Sequence, residues 1–342
     1  MNLSPDCSRF IVIGENIHTT RVLSRKGKLI AEDNSGQEGI RFRDGSNARR
    51  FLAIPEDVKK TRDYEEGRVK HLKIAVSEAM SGSVDALDYI ARQVQRQEQA
   101  GADFLDLNVD EISIRVEEQQ DAMRWLVGIV RTMSELPLSI DSSNTDILRS
   151  GLESCSGHAQ RPLLNSASLE RLYGIDLAHE FNAQVVISAA GESGMPDNVE
   201  DRLKFAMRMV DEADQRNIPL SDLFIDPLIF PISVDGRYGQ HALGAIAQLR
   251  ARLGADVHIT GGFSNVSFGL PCRQLINDVF LLLAIEAGAD SAIIDPTSGA
   301  LTEILSTDRD SHRYRLAEDV LMGRDEYCAQ FIRAYRKGEL AD

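Results

Sequence analysis

Short apolar runs that end in a polar or acidic residue recur eight times along the chain. They are Phe10-Ile11-Val12-Ile13-Gly14-Glu15, Phe104-Leu105-Asp106-Leu107-Asn108-Val109, Leu136-Pro137-Leu138-Ser139-Ile140-Asp141 and Pro162-Leu163-Leu164-Asn165-Ser166. Then follow Gln184-Val185-Val186-Ile187-Ser188-Ala189, Leu223-Phe224-Ile225-Asp226, Val257-His258-Ile259-Thr260 and Ser291-Ala292-Ile293-Ile294-Asp295. Between most of them the apolar spacing changes to that of a helix. Ser83 stands where it would cap a helix carrying Val84, Leu87, Ile90, Ala91 and Val94, and a second helix carries Met123, Leu126, Val127, Val130 and Met133. A third, over 199–217, has Leu203, Ala206, Met207, Val210 and Ala213 on one face; a fourth, over 273–288, has Leu275, Ile276, Val279, Phe280, Leu283 and Ala284. Eight strands alternating with helices predict an α/β fold with a parallel sheet, and the count favours closure into a (β/α)8 TIM barrel over an open sheet. The dinucleotide fingerprint of the open fold is missing after the first strand. The expectation is a single barrel domain over residues 1–342.

One connection breaks the rhythm. From Glu15 to Asp106 is 91 residues, where later strands follow at the shorter spacing of one βα unit. Residues 22–80 therefore read as an insertion in the first βα loop. Asn34, Gly36, Gly39 and Gly45 suggest turns or a hairpin, Ile40-Arg41-Phe42-Arg43 alternates like an exposed strand, and 56–80 has room for a helix. The stretch carries 13 Lys/Arg against 10 Asp/Glu, a basic patch in a chain of net charge −15. It is expected to cover the mouth of the barrel, since the first βα loop opens on that face; a solvated ornament or a dimer contact is the alternative.

Composition narrows the class. Phosphate binding needs a basic surface, so a charge of −15 argues against nucleic acid as the main partner. Cys7, Cys155, Cys272 and Cys328 form no Cys-x-x-Cys or Cys/His cluster, which predicts a reduced, cytoplasmic protein without a metal site. Neither a signal peptide nor a run of membrane-spanning length is visible.

The chemistry gathers at the strand ends. Glu15, Asp106, Asn108, Asp141, Asn165, Asp226, Asn265 and Asp295 fall at or just past them, and in a barrel those ends converge on one pocket. Taken singly, each is a turn former or a helix cap. Gly261-Gly262-Phe263-Ser264-Asn265-Val266-Ser267 is the most informative stretch: a glycine-rich turn lets backbone approach a ligand, and an amide that both donates and accepts suits a nitrogen heterocycle. The plain alternative is that Asn265 and its serines cap the following helix. His18 is read as a structural loop histidine.

The ordered segments Gly14-Glu15-Asn16-Ile17, Leu105-Asp106-Leu107-Asn108-Val109, Ile140-Asp141-Ser142-Ser143-Asn144, Leu164-Asn165-Ser166, Ile225-Asp226-Pro227-Leu228 and Ser264-Asn265-Val266-Ser267 resemble successive motifs of the pterin-binding methyltransferases. These are the methyltetrahydrofolate:corrinoid protein methyltransferases and the folate domain of cobalamin-dependent methionine synthase. The resemblance covers about 10–21 and 84–335 and misses the insertion. It implies a methyltransferase that moves a methyl group between N5 of tetrahydrofolate and the cobalt of a corrinoid (cobalamin) carried by a partner protein. By resemblance Asp141, Asn165 and Asp226 hydrogen-bond the pterin, Asp106 and Asn108 shape its floor, and Glu15 and Ser267 belong to the same pocket. Asn265 would sit at N5 and stabilise the charge that grows there. A homodimer is implied as well. Members often carry Arg-Ile-Asn where this chain has Asn16-Ile17-His18, and glycine where it has Asp110. Two alternatives stand: a dihydropteroate synthase-like enzyme, disfavoured because no lysine follows Thr260 before the last strand, and a non-catalytic subunit that binds pterin or the corrinoid partner.

Overall fold

All eight apolar runs become strands. A computed structural model describes residues 10–340, and in chain order the strands are β1 (Ile11–His18), β2 (Leu23–Ser24), β3 (Ile30–Glu32), β4 (Glu38–Arg43), β5 (Arg49–Ala53) and β6 (Arg68–Val69). They continue with β7 (Phe104–Asn108), β8 (Leu138–Asp141), β9 (Leu163–Ala167), β10 (Gln184–Ser188), β11 (Leu223–Asp226), β12 (His258–Ile259) and β13 (Ser291–Ile294). The parallel sheet has the order β12-β11-β10-β9-β8-β7-β1-β13. Its two outermost strands are themselves tied: the Ile293 N–H donates to the Gly261 carbonyl at 3.0 Å and the Asp290 N–H to that of Ile259 at 3.3 Å. The sheet thus closes, and the fold is the expected (β/α)8 barrel.

The expected strand ends hold to within a residue or two, except in β1. That strand continues past Glu15 to His18, so Glu15 lies within it and His18 occupies its end. His18 is therefore a strand residue, not a loop residue. Ser83 caps helix Val84–Gln99 as expected, its hydroxyl accepting the Ala86 N–H at 3.3 Å. The buried face of that helix is Ala86, Tyr89, Ile90, Gln93, Val94 and Gln97, whereas Val84 is exposed. Gln97 explains the shift. Its amide oxygen accepts the Asn16 N–H at 3.0 Å, and a Cβ at Gly14 would lie 2.4 Å from the same oxygen. A buried polar anchor of this kind is invisible to an apolar periodicity.

The insertion folds as a three-stranded antiparallel sheet, β3-β4-β5, followed by short helices and helix His71–Met80. Both hairpin turns use one device: Asp33 accepts the N–H groups of Ser35 and Gln37, and Asp44 those of Ser46 and Ala48. Ile40 and Leu52 are buried while Arg41 and Arg43 are exposed, as the alternation predicts. The sheet packs on helix Val84–Gln99: Phe42 meets Tyr89 edge-on at 5.0 Å, and Arg50 reaches Asp88 at 3.4 Å. Its base, where β2 pairs with β6, sits beside the end of β7 through the 2.8 Å Lys70–Glu111 ion pair.

The chain's contacts divide into two compact units. One holds the start of β1, up to Ile13, with everything from Ser166; the other is Gly14–Asn165. Cys155, Cys272 and Cys328 are free thiols, and Cys7 lies outside the described residues. Among the described residues no helix is long and apolar enough to cross a membrane.

Candidate active site

Within Gly14–Asn165, register alone gathers a cluster. Asn108 pairs with Asp141 across β7 and β8, and Asp141 with Asn165 across β8 and β9. Residues level with one another on adjacent parallel strands point to the same face, so the three side chains stand in a row. The Asn108 amide donates to Asp141 Oδ2 at 2.9 Å, fixing which way it faces. Two residues before Asn108 on the same face, Asp106 is fully buried.

Asp106 is the hub. Its Oδ2 bonds His18 Nε2 at 2.9 Å and accepts from the Asn165 amide at 3.3 Å. Its Oδ1 is buried without a hydrogen-bond partner among the described residues. A buried carboxylate oxygen left unmatched is costly, and a ligand that brings an N–H to it recovers that cost. Burial alone would lower the pKa of His18, but the hydrogen bond and charge of Asp106, with the charges of Asp141 and Glu15, raise it to about 9. His18 is thus an imidazolium at neutral pH. His18, Asp106 and Asp141 bring their ligating atoms within 4.8 Å of one another, a spacing that suits a cation; while Asp106 holds the His18 proton, Nε2 has no lone pair to offer one. Burial, reinforced by the Asp106 charge and opposed by His18 and the Asn108 amide, pushes Asp141 up to about 7.

The neighbouring loops are tied by Asp110, whose carboxylate accepts from the Ser142 hydroxyl at 2.6 Å and from the Ser143 N–H and hydroxyl at 3.0 Å. Where glycine would leave the loop after β7 free, Asp110 straps it to the loop after β8. Glu15 is half-buried on β1 and meets Arg21 at 3.3 Å.

The other unit holds the remaining candidates. Asp226 ends β11, and its Oδ1 accepts the Leu228 N–H at 2.7 Å, closing a turn in which Leu228 takes φ +64°. A leucine in the left-handed region is strained, and such strain persists where the surroundings impose it. Arg202, fully buried on helix Val199–Gln215, braces the turn from beneath by donating to the Leu228 carbonyl at 3.4 Å. Burial raises Asp226 to about 6, against the pull of the Leu228 N–H and the Arg202 charge. Gly261, on the next strand's end, leaves room for it: a Cβ there would lie 3.0 Å from Asp226 Oδ1.

Asn265 lies in the one-turn 3-10 helix Phe263–Ser267 and is exposed. A Cβ at Gly262 would come 2.9 Å from its side-chain nitrogen, so that glycine makes its position possible. It does not cap the next helix: Arg273–Ala287 begins after Cys272 with no side-chain cap. Among the described residues its amide has no partner, which leaves it available to a ligand. Ser267 is buried and braces the turn, its hydroxyl donating to the Ser264 carbonyl at 3.3 Å and accepting from Arg273 at 3.0 Å. Arg273 also donates to the Ser264 carbonyl at 2.8 Å. Asp295 follows the plain reading as a cap, accepting the Thr297 N–H at 2.9 Å.

Three participants escaped the sequence reading. His18 reads as a lone loop histidine, and its partner Asp106, 88 residues away, leaves no local signal. Arg202 shares a buried helix face with Leu203, Ala206, Met209, Val210 and Ala213, and apolar periodicity carries no signal for it. Asp110 was noted only as a departure from glycine; the serine pair 32 residues later was the signal that it had partners.

The chain is similar to several known proteins. The sequence model of the pterin binding enzyme family matches residues 77–295. A methylcorrinoid:tetrahydrofolate methyltransferase from Eubacterium limosum is 29% identical over 282 residues, which are 78% of this chain and 97% of that protein. A methionine synthase from Mycobacterium leprae is 34% identical over 213 residues, 58% of this chain but 17% of that much longer protein. Among solved structures, the dihydropteroate synthase of Xanthomonas albilineans in complex with 7,8-dihydropteroate is similar with a TM-score of 0.51 and 19% identity, covering 66% of this chain and 88% of that one. At that identity the likeness concerns the fold alone.

Proposed function

The chain belongs to the pterin-binding enzymes, and from that premise we propose that it is a methyltransferase moving a methyl group between N5 of tetrahydrofolate and the cobalt of a corrinoid protein. The observation that carries the reading is Asp106: wholly buried, held on one oxygen, and unmatched on the other amid Asn108, Asp141 and Asn165. A pterin's aminopyrimidine edge offers the adjacent N–H groups that such acceptors require. Support comes also from the Eubacterium relative, which this chain matches over nearly its whole length.

The residues divide the work. Asp106, Asp141 and Asn165 hold the pterin's N–H edge, with Asn108 orienting Asp141 and Glu15 and His18 keeping the cluster's charge balanced. Asp226 offers a further carboxylate on a turn stiffened by Arg202. Asn265 acts at N5. A tertiary amine is a poor leaving group until it gains positive charge, so N5 takes up a proton from solvent and keeps the C–N electron pair as the methyl group departs. The Asn265 side-chain oxygen accepts that new N–H and stabilises the charge as it develops, and Ser267 braces its turn. The corrinoid supplies the cobalt that takes or gives the methyl group. By microscopic reversibility the same contacts serve both directions. After β12 Arg273 stands without a lysine beside it and braces the turn at Ser264 and Ser267, which disfavours the pyrophosphate chemistry of a synthase.

The direct test is anaerobic: the protein with methyltetrahydrofolate and cob(I)alamin produces the methylcobalamin spectrum, and with methylcobalamin and tetrahydrofolate consumes it. A protein inert in both directions that still binds the pterin would be the non-catalytic subunit instead.

Pterin affinity carries its own signature. Asp141→Ala and Asp226→Ala each weaken methyltetrahydrofolate binding by roughly 1–3 kcal/mol, the cost of an unpaired buried partner. The pterin's N–H groups need ionised acceptors, and the free protein holds Asp141 near 7 and Asp226 near 6. Affinity therefore rises with pH between about 5 and 8 as both carboxyls ionise, a trend calorimetry can follow. Equal affinity in both variants, or a flat profile, removes these residues from the pocket. The protein works in the cytoplasm as a homodimer in this reading; light scattering at micromolar concentration checks the stoichiometry, and a monomer would end that part of it.

A further inference from the structure

The insertion and helix Val84–Gln99 enclose a groove of about 620 Å³, lined by Lys28, Arg41, Arg43, Arg49, Arg50, Arg92 and Arg96, with Leu29, Phe42, Tyr89 and Gln93 as its uncharged lining. Seven cations line it and no acid does, in a chain whose net charge is −15. Several surface arginines elsewhere are answered by carboxylates, as in Arg216–Asp176, Arg208–Glu192, Arg237–Asp235 and Arg324–Asp319, while Arg131 and Arg273 bond neutral oxygens. Here Arg50 has Asp44, Asp88 and, at 3.9 Å, Asp85. Arg41, Arg43 and Arg92 instead hydrogen-bond neutral oxygens, those of the Lys28 and Asn47 carbonyls and the Gln95 amide.

Arg43 and Arg50 tie the β4–β5 turn through the Asn47 carbonyl and Asp44, but those roles do not call for the whole set. Arg43 and Arg49 are direct cross-strand partners in the β4–β5 register, and like charges directly opposite one another destabilise a sheet. A hairpin end needs no such pair. Six of the seven cations are arginine, whose planar fork matches the paired oxygens of phosphate and carboxylate groups. The volume lies within the range of small-molecule sites.

We propose that this groove binds a small polyanion, a ligand carrying several closely spaced phosphate or carboxylate groups, and that the insertion exists to hold it. The ligand neutralises the gathered charge, and the arginines contributed by the sheet and by the helix close on it from two sides. The proposal stands on the groove alone and is independent of the methyl-transfer reading.

Two probes distinguish the sources of such a ligand. Tripolyphosphate represents a nucleotide-like polyphosphate; tetra-γ-glutamate represents an oligoglutamyl chain. In calorimetry of the whole protein at low salt, one of them binds at a single site with a dissociation constant below about 100 µM and loses about tenfold in affinity in 0.3 M salt, as screening of exposed charges requires. The double variant Arg43→Glu with Arg49→Glu on the sheet, and separately Arg92→Glu on the helix, each weakens binding at least tenfold; the second keeps the test valid should the first disturb the hairpin. Turnover with methyltetrahydrofolate and cob(I)alamin is unchanged in Arg92→Glu. The probe that binds names the source. Failure of both probes to bind below about 1 mM, or undiminished binding by folded variants, overturns the proposal.

Discussion

Asn265→Ala is expected to lower kcat by about 10²-fold or more, on the scale of losing one preorganised group at a site of developing charge. The amide lies exposed on a short 3-10 helix, contributes to no helix cap and has no hydrogen-bond partner among the described residues, so its removal costs the fold no side-chain hydrogen bond. Affinity for methyltetrahydrofolate should change far less than turnover, because the proposed contact strengthens only as N5 gains its proton. Asn265→Asp keeps an acceptor oxygen and should retain more activity than the alanine variant. Single-turnover formation of methylcobalamin, monitored by the cobalt spectrum, separates the step from product release. Turnover near that of the parent in Asn265→Ala would reduce the residue to a turn former.

Asp106→Asn carries the largest expected cost in stability. It removes the counter-charge of a buried imidazolium and weakens a hydrogen bond of 2.9 Å. Breaking one side of a buried pair is costly, and roughly 3 kcal/mol is expected at neutral pH. The sign of the pH dependence follows from His18, raised from 6.5 to about 9. Its contribution is fully present below the unfolded value of 6.5 and is lost as pH rises through 9. Urea unfolding of the parent should therefore show stability falling between neutral pH and about 9.5, and Asp106→Asn should flatten that decline. Histidine resonances followed by NMR supply a second reading, with one titrating near 9 in the parent and near its ordinary value in the variant. A variant as stable as the parent, with an unchanged titration, would show that the pair is not an ion pair.

The fold was legible because its signals are local. Eight apolar runs ended where their strands end, apart from β1, and Ser83 capped the helix it was expected to cap. The row of Asn108, Asp141 and Asn165 was legible too, since each closes or nearly closes an apolar run at a strand end, whereas Glu15, read the same way, lies inside β1. Less was visible where a polar residue serves a distant partner. Helix Val84–Gln99 turns toward the strands through Gln97, and an apolar count aimed its face at Val84 instead.

By itself, then, the sequence determined the order of the eight barrel strands and most of the polar residues at their ends. These follow from side-chain periodicity and short-range capping, which act over a few residues. The tertiary structure alone decided the rest. It brought His18 against Asp106, leaving one carboxylate oxygen unmatched, it laid the arginines of β4 and β5 opposite those of Val84–Gln99, and it put Arg202 under the strained turn at Leu228. Those outcomes depend on burial and on charges that meet only when remote segments pack, and a periodicity read along one chain carries no information about which remote segment it will meet.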